Sequence, residues 1–326
     1  MIIFVSNSFH RYNHGFLCSR NDLPEVRSES YDWLLRRRTL PRATYIFTDR
    51  ERMDCWQLKV YQHYYNYINQ LGDGYRAINN PGKMMNRRAL LRTLYSRGLN
   101  PFNIYAVTER RMPERYPVFI RNEFDHGKPL TDLLHTSEDL NAALAQLSAR
   151  GHPEEGLLIT EFCAQPLEGD LFRKLSSYRV GDELFFYGTV HQEDWLVKYG
   201  TLNSATQAMY EEEQSMITNN AYQDQLLKIF NAGNIVYGRA DYGIVDGRVV
   251  VYEINTNPNT LPPKEQHPNA TRQKSVELGW KKYCEALHQI DSPVSGKRKM
   301  ALLKIPGLKR SRPTLSLSRK IRSFRP

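Results

Sequence analysis

Apolar residues along this chain fall into two alternating patterns, short continuous runs and stripes of helical period. Residues 44–49, Thr-Tyr-Ile-Phe-Thr-Asp, read as a short strand. Thr48 and Glu51 have the spacing of a capping box, which predicts a helix start there. Trp56, Val60, Tyr64, Ile68 and Leu71 then recur on one helical face until Gly72. Tyr61, Tyr64, Tyr65 and Tyr67 fit helical core and interface packing better than a base-stacking surface. A second helix is expected over residues 86–97, with Leu90, Leu91 and Leu94 inward, Gly98 at its end and Pro101 preventing continuation. Residues 117–121 and 156–162 read as buried strands. Between them Thr136 and Asp139 open a helix whose apolar stripe is Leu140, Leu144 and Leu147. Residues 180–190 suit a strand or a hairpin about Gly181-Asp182, and a helix is expected from about residue 220 to Gly233. No internal repeat is visible. Alternating strands and helices place the chain in the α/β or α+β class.

Composition changes this picture mainly at the ends. The chain has 326 residues, 40% hydrophobic and 25% charged, enough for two domains or one large composite. Residues 1–5 form too short an apolar run for a signal peptide and lack a basic lead-in, and no run reaches the length of a membrane span. A soluble cytoplasmic protein is expected. The net charge of +10 describes one segment: eleven of the 45 Lys and Arg lie from Lys297 onward, where there is no acid, and the remaining 34 face 35 Asp and Glu. Such a basic tail, residues 292–326, is expected to be disordered and to offer charge to anionic surfaces. Cys18, Cys55, Cys163 and Cys284 are scattered and form no CxxC pair, so neither a zinc site nor a disulfide framework is indicated. His10 and His14 have the spacing of a helical metal pair, but Asn13 and Gly15 beside them argue for a loop.

The candidate chemistry lies in residues 235–259. Asp246-Gly247 between two apolar runs is a hairpin signal. Side chains alternate faces along a strand, so Arg239 shares a face with Asp241, and Glu253 with Asn255. A two-residue loop would put the two pairs on opposite faces. A three-residue loop, Val245-Asp246-Gly247, would put all four on one face, and this is the expectation. Two carboxylates and an amide oxygen beside an arginine suit a magnesium nucleotide, because magnesium takes few protein oxygens and completes its shell with phosphate and water. A purely solvent-facing hairpin does not account for polar residues at four matched positions of otherwise apolar strands.

Arg239-Ala-Asp241 and Glu253-Ile-Asn255, followed by Asn257-Pro258, resemble the metal-binding hairpin of ATP-grasp enzymes. Asn80-Pro81, Asn86-Arg87 and the leucine-rich helix after them look like that family's entrance to the nucleotide site, with Arg87 where a lysine is usual. Residues 117–121 look like its next strand, Arg121 replacing a second lysine, and the covering loop 122–129 contains only Gly127. Glu161-Phe162-Cys163 resembles the segment whose backbone recognises adenine, with Glu168 or Asp170 for the ribose. Arg173, Lys174, Arg179 and Lys198 lie where the family has basic residues near the triphosphate and acceptor.

The resemblance covers residues 78–262, and implies an ATP-grasp fold over 78–291 with a break near 156–163, preceded by a small α/β domain over 1–77. It also implies carboxylate–amine or carboxylate–thiol ligation of small-molecule or peptide substrates through an acyl phosphate. ATP and Mg2+, or Mn2+ in its place, would be held by Asp241, Glu253 and Asn255, and Arg239 and Arg121 would stabilise the transferring charge. A kinase of a small polyol or sugar, and a non-catalytic nucleotide-binding scaffold, remain alternatives.

Overall fold

The computed structural model describes residues 1–72, 74–260, 267–292 and 300–305. The N-terminal unit is built on a parallel sheet of β1 (Ile2–Ser6), β2 (Val26–Ser30), β4 (Thr44–Phe47) and β5 (Arg76–Ile78), in the order β2-β1-β4-β5. Helices α1 (Tyr31–Arg36) and α2 (Cys55–Gln70) and the short strand β3 (Thr39–Pro41) complete it. The uninterrupted burial of β1 and β4 is what a strand covered on both faces requires. The expected helix start at Thr48 is displaced. Thr48 is buried with its hydroxyl donating to the Val5 carbonyl (2.9 Å), and Asp54 with Gln57 forms the capping box that opens α2. Tyr61, Tyr64 and Ile68 of α2 lie in the core.

The second unit carries α3 (Arg87–Ser96), capped by Asn86, and an antiparallel sheet of β6 (Ile104–Ala106), β7 (Val118–Asn122) and β8 (Leu157–Glu161), ordered β6-β8-β7. Helix α4 (Ser137–Ala149) has the expected Thr136–Asp139 box and packs Leu140 and Leu147 into the cluster that holds Ile120 and Ile159. The third unit is an antiparallel sheet of β9 (Phe172–Val180), β10 (Glu183–Gln192), β11 (Tyr237–Val245) and β12 (Arg248–Asn255), ordered β10-β9-β11-β12. Helices α5 (Gln207–Asn219), α6 (Gln223–Ala232) and α7 (Ala270–Ile290) accompany it. The helix expected from residue 220 starts three residues later, because Asn220 and Tyr222 are left-handed and interrupt it. Among the described residues no helix is long and apolar enough to cross a membrane.

Two devices join the units. Tyr283 and Leu287 of α7 share one core cluster with Ile2 and Phe4 of β1 and Tyr237 of β11. Asn79, at a left-handed φ of 63°, donates from its amide nitrogen to the carbonyls of Phe47 (3.1 Å) and Tyr237 (2.8 Å) and accepts from the N–H of Val236 (2.8 Å) and Tyr237 (2.9 Å). Asn79→Ala leaves four backbone groups, three of them in buried bonds, without this partner and is expected to cost about 3 kcal/mol, read as a lower denaturation midpoint. A loss under about 1 kcal/mol would show that water replaces the clamp.

Strand β13 (Met300–Leu302) pairs antiparallel with β3, which corrects the expectation of disorder for that stretch. Leu303 is buried there and its N–H donates to the Arg38 carbonyl (2.8 Å), so local apolar contact and backbone pairing hold it. Residues 293–299 and 306–326 of the expected tail lie outside the described residues.

His14 belongs to the 3-10 segment Ser8–His14 and stacks on Phe4 at 4.0 Å between ring centroids. Burial, with neither ring nitrogen partnered among the described residues, pushes its pKa down to about 3 from 6.5. The neutral ring is therefore favoured by folding, and stability that is full above pH 6.5 is lost as pH falls towards 3. His14→Phe is expected to remove about 2 kcal/mol of the destabilisation seen at pH 5 relative to pH 7.5, measured by denaturation at both. Equal acid sensitivity in the variant would clear His14 of this role.

Candidate active site

Strands β11 and β12 set the register of the site. Arg239 pairs with Asn255 and Asp241 with Glu253, so all four project from one face. The expected route to this arrangement was wrong. Val245 pairs with Arg248 across a two-residue Asp246-Gly247 turn, both turn residues having positive φ, as a tight hairpin of the mirror-image turn type requires. The change of facing comes instead from a bulge: Asp241 opposes Glu253 but Tyr242 opposes Val251, leaving Tyr252 as the extra residue. Asn100 secures the edge strand beside it, its side chain bonding both the N–H (3.0 Å) and the carbonyl (2.8 Å) of Val251. Gly243 leaves room for the bulged residue, since a Cβ there would lie 2.2 Å from the Tyr252 hydroxyl.

This face lines a cavity of about 620 Å³, within the usual range for small-molecule sites. Seven Arg and Lys line it against three carboxylates, a balance suited to a polyanion. Asp241 is held by a forked contact from Arg239 (2.8 and 3.2 Å), by Ser176 (3.2 Å) and by Lys174 (3.4 Å). Burial would lower the Arg239 pKa, but Asp241, with smaller contributions from Tyr178 and Glu253, raises it on balance. Glu253 meets Arg87 directly, His126 at 3.3 Å and Arg121 at 3.8 Å. Burial pushes the Glu253 carboxyl up, and Arg87, His126 and Arg121 more than reverse this, holding it well below the ordinary carboxylate range. Arg121 is lowered to about 10, first by burial and then by Arg87, and among the described residues its Nε has no hydrogen-bond partner. The Asn255 amide oxygen accepts from the Asn257 N–H (2.8 Å).

Arg87, expected among the nucleotide-binding residues, lines the cavity and also contacts the loop after β7. Its Nη1 donates to the carbonyls of Asn122 (3.3 Å), Glu123 (3.3 Å) and Asp125 (2.8 Å), and Nη2 meets His126 and Glu253. It is almost fully buried and ties the loop after β7 to the acidic hairpin. Lys198 reaches the same loop, its Nζ lying 3.4 Å from the His126 carbonyl.

In the same lining, Trp195 contacts the rings of Phe119 (5.1 Å) and Phe162 (5.7 Å), and Phe162 meets Phe172 (6.4 Å), an apolar wall for a planar group. Phe162 and Cys163 line this part, with the Cys163 thiol raised by burial, and among the described residues the buried Thr160 hydroxyl has no partner. The Glu161 side chain is engaged elsewhere. Its carboxylate accepts from the N–H groups of Asn103, Glu114 and Arg115, the Tyr105 hydroxyl and the Arg115 guanidinium, all within 3.1 Å. The N–H groups of Glu161 and Phe162 donate to Asn103 (3.1 Å) and Pro117 (2.9 Å) carbonyls, so they are not free for a base. Glu168 and Asp170 are exposed in a tight turn, closed by Leu171 N–H to the Glu168 carbonyl (3.0 Å), and do not line the cavity.

The three-stranded sheet and the four-stranded sheet of β9 to β12 thus line one charged and aromatic cavity, with the acidic hairpin as a wall. Solved structures of similar arrangement include a D-alanine–D-alanine ligase from Bacillus anthracis complexed with ATP (12% identity, 89% of this chain and 97% of that one, TM-score 0.49). Others are the ligase from Coxiella burnetii (12%, 89% and 96%, TM-score 0.48) and the VanG D-Ala:D-Ser ligase from Enterococcus faecalis (12%, 89% and 98%, TM-score 0.47). At such identities and scores they carry nothing about substrate or activity. No family profile matches the chain, and no curated protein matches it.

His126, Tyr252 and the Phe119–Trp195 wall were not anticipated. His126 sits in the covering loop, where the shortage of glycine was noted and the imidazole was not; its approach to Glu253 across 127 residues leaves no local signal.

Proposed function

We propose that this chain is an ATP- and magnesium-dependent ligase that joins a carboxylate to an amine through an acyl phosphate. The observation that carries the reading is the facing register Arg239–Asn255 and Asp241–Glu253, opening onto a cavity lined by both cationic groups and aromatic rings. The residues fit the absent groups. Two carboxylates with one amide leave most of a magnesium shell to phosphate and water, and the unpartnered Nε of Arg121 and hydroxyl of Thr160 are buried polar atoms awaiting ligands. Asp241, Glu253 and Asn255 would hold magnesium, which when bound neutralises and bridges phosphate oxygens.

Arg121, Arg239, Lys174 and Lys198 would neutralise the phosphates and the acyl phosphate as charge develops. Arg87 would hold the covering loop in place. The base would lie against Phe162 and Trp195, read by backbone from Cys163 onward because the preceding N–H groups are engaged. Residues 1–77 would form the smaller domain and 78–291 the ATP-grasp body.

The test is ATP turnover with a pool of the twenty standard amino acids, with and without hydroxylamine as added amine. A ligase releases ADP and phosphate only with a carboxylate and forms a hydroxamate when hydroxylamine is present. Turnover driven by polyols or sugars in place of carboxylates would replace this reading with a kinase. Nucleotide binding without any turnover would leave a scaffold.

A further inference from the structure

We infer that His10 is the proton acceptor for the attacking amine, oriented by Asp49; this rests on the ligase reading above. His10 lies in the 3-10 segment Ser8–His14 and lines the cavity from the N-terminal unit. Its Nδ1 is 3.2 Å from Asp49 Oδ2, and Asp49 is fully buried while a quarter of the His10 side chain is exposed. A carboxylate only accepts hydrogen bonds, so Nδ1 carries the proton and Nε2 of the neutral ring keeps its lone pair. Among the described residues no hydrogen-bond partner engages Nε2.

Asp49 is fixed from several sides. Its oxygens accept from the Asn7 N–H (3.2 Å) and from Arg52 (2.6 Å), and its backbone is left-handed at φ 62°. A non-glycine residue held in that conformation is uncommon and costs about 1 kcal/mol or more, so the surroundings over-determine it. The segment is also docked at the acidic hairpin. Asn13 donates to the Asn257 carbonyl (2.8 Å), and the Asn257 amide nitrogen lies 3.4 Å from the His10 carbonyl. Asn257 in turn bonds Asn255, at the end of β12. His10 is thereby tied, through Asn257, to Asn255 of the proposed metal set.

The step is balanced within the proposed reaction. Nε2 takes a proton from the ammonium, the freed nitrogen pair forms the C–N bond to the acyl phosphate carbon, and the C–O bond to phosphate breaks with its electron pair leaving on phosphate. A second proton departs from the amide nitrogen to water.

Hydroxylamine separates this role from a structural one, because its nitrogen is already unprotonated at neutral pH. In the full chain with ATP, magnesium and the twenty amino acids, His10→Gln is expected to lower peptide-forming turnover by about a hundredfold or more. Hydroxamate formation with added hydroxylamine should stay within about threefold of wild type. Asp49→Asn, which disturbs the tautomer, should show the same selective loss with unchanged KM for ATP. A parallel fall of both reactions would show that His10 serves binding or folding, and an unchanged amine reaction would show that it moves no proton. A wild-type chain forming neither product would instead remove the ligase reading itself.

Discussion

Glu253→Gln is expected to lower magnesium-ATP turnover by at least about a thousandfold, roughly 4 kcal/mol of lost transition-state stabilisation. It should also destabilise the fold. Arg87 and Arg121 converge on this carboxylate, and removing it leaves two buried guanidinium groups facing each other with less compensation. Breaking a buried pair in this way costs about 3 kcal/mol. The charge contribution has a defined pH window. Because the folded carboxyl is held well below its ordinary 4.5, the stabilisation is fully present above that pH and is lost as pH falls below it. The Gln variant should lack that part of the acid response. Wild-type turnover at saturating magnesium would remove Glu253 from the metal site, and an unchanged thermal midpoint would show that the cationic cage is held by other contacts.

Arg87→Lys is the second large effect, and it separates Arg87 from Arg121. The Arg87 fork reaches three loop carbonyls through one nitrogen and His126 with Glu253 through the other. A lysine carries a single ammonium with three donors and cannot span both sets. The expected outcome is a loss of about 3 kcal/mol in stability and a rise of tenfold or more, in order of magnitude, in KM for ATP as the covering loop is released. Arg121 makes no such set of loop contacts, so Arg121→Lys should keep measurable turnover while Arg121→Ala does not. Equal behaviour of Arg87→Lys and Arg121→Lys in denaturation and in KM would contradict this division of roles.

Local signals carried much of the architecture. The apolar runs at residues 44–49 and 156–162, the Thr136–Asp139 box and the Asn86 cap are written in neighbouring residues, and each element lies within a few residues of its expected place. The Asp-Gly turn and the two polar pairs were legible for the same reason: strand alternation has period two, and a hairpin turn has a short chemical signature. One helix start is displaced. Thr48 has the right spacing for a cap, but the Val5 carbonyl on a neighbouring strand takes its hydroxyl.

The site divides along the same line. The alternation of side chains along β11 and β12 determined that Arg239 goes with Asp241 and Glu253 with Asn255. Whether the two pairs meet was decided by the bulge at Tyr252, which depends on Asn100 gripping the edge strand from 151 residues away. Tertiary contact likewise turned Arg87 into a loop clamp, engaged the Glu161 carboxylate with the segment at Glu114 and Arg115, and left Glu168 and Asp170 outside the cavity. Only the fold brought His10 to Asp49 and His126 to Glu253, separated by 39 and 127 residues. The sequence by itself determined the elements and which polar residues share a strand face, because backbone geometry repeats over two to four residues. The tertiary structure decided which charges neutralise one another and which remain open to a ligand, because burial and Coulomb attraction act between groups that only the folded chain brings within a few ångströms.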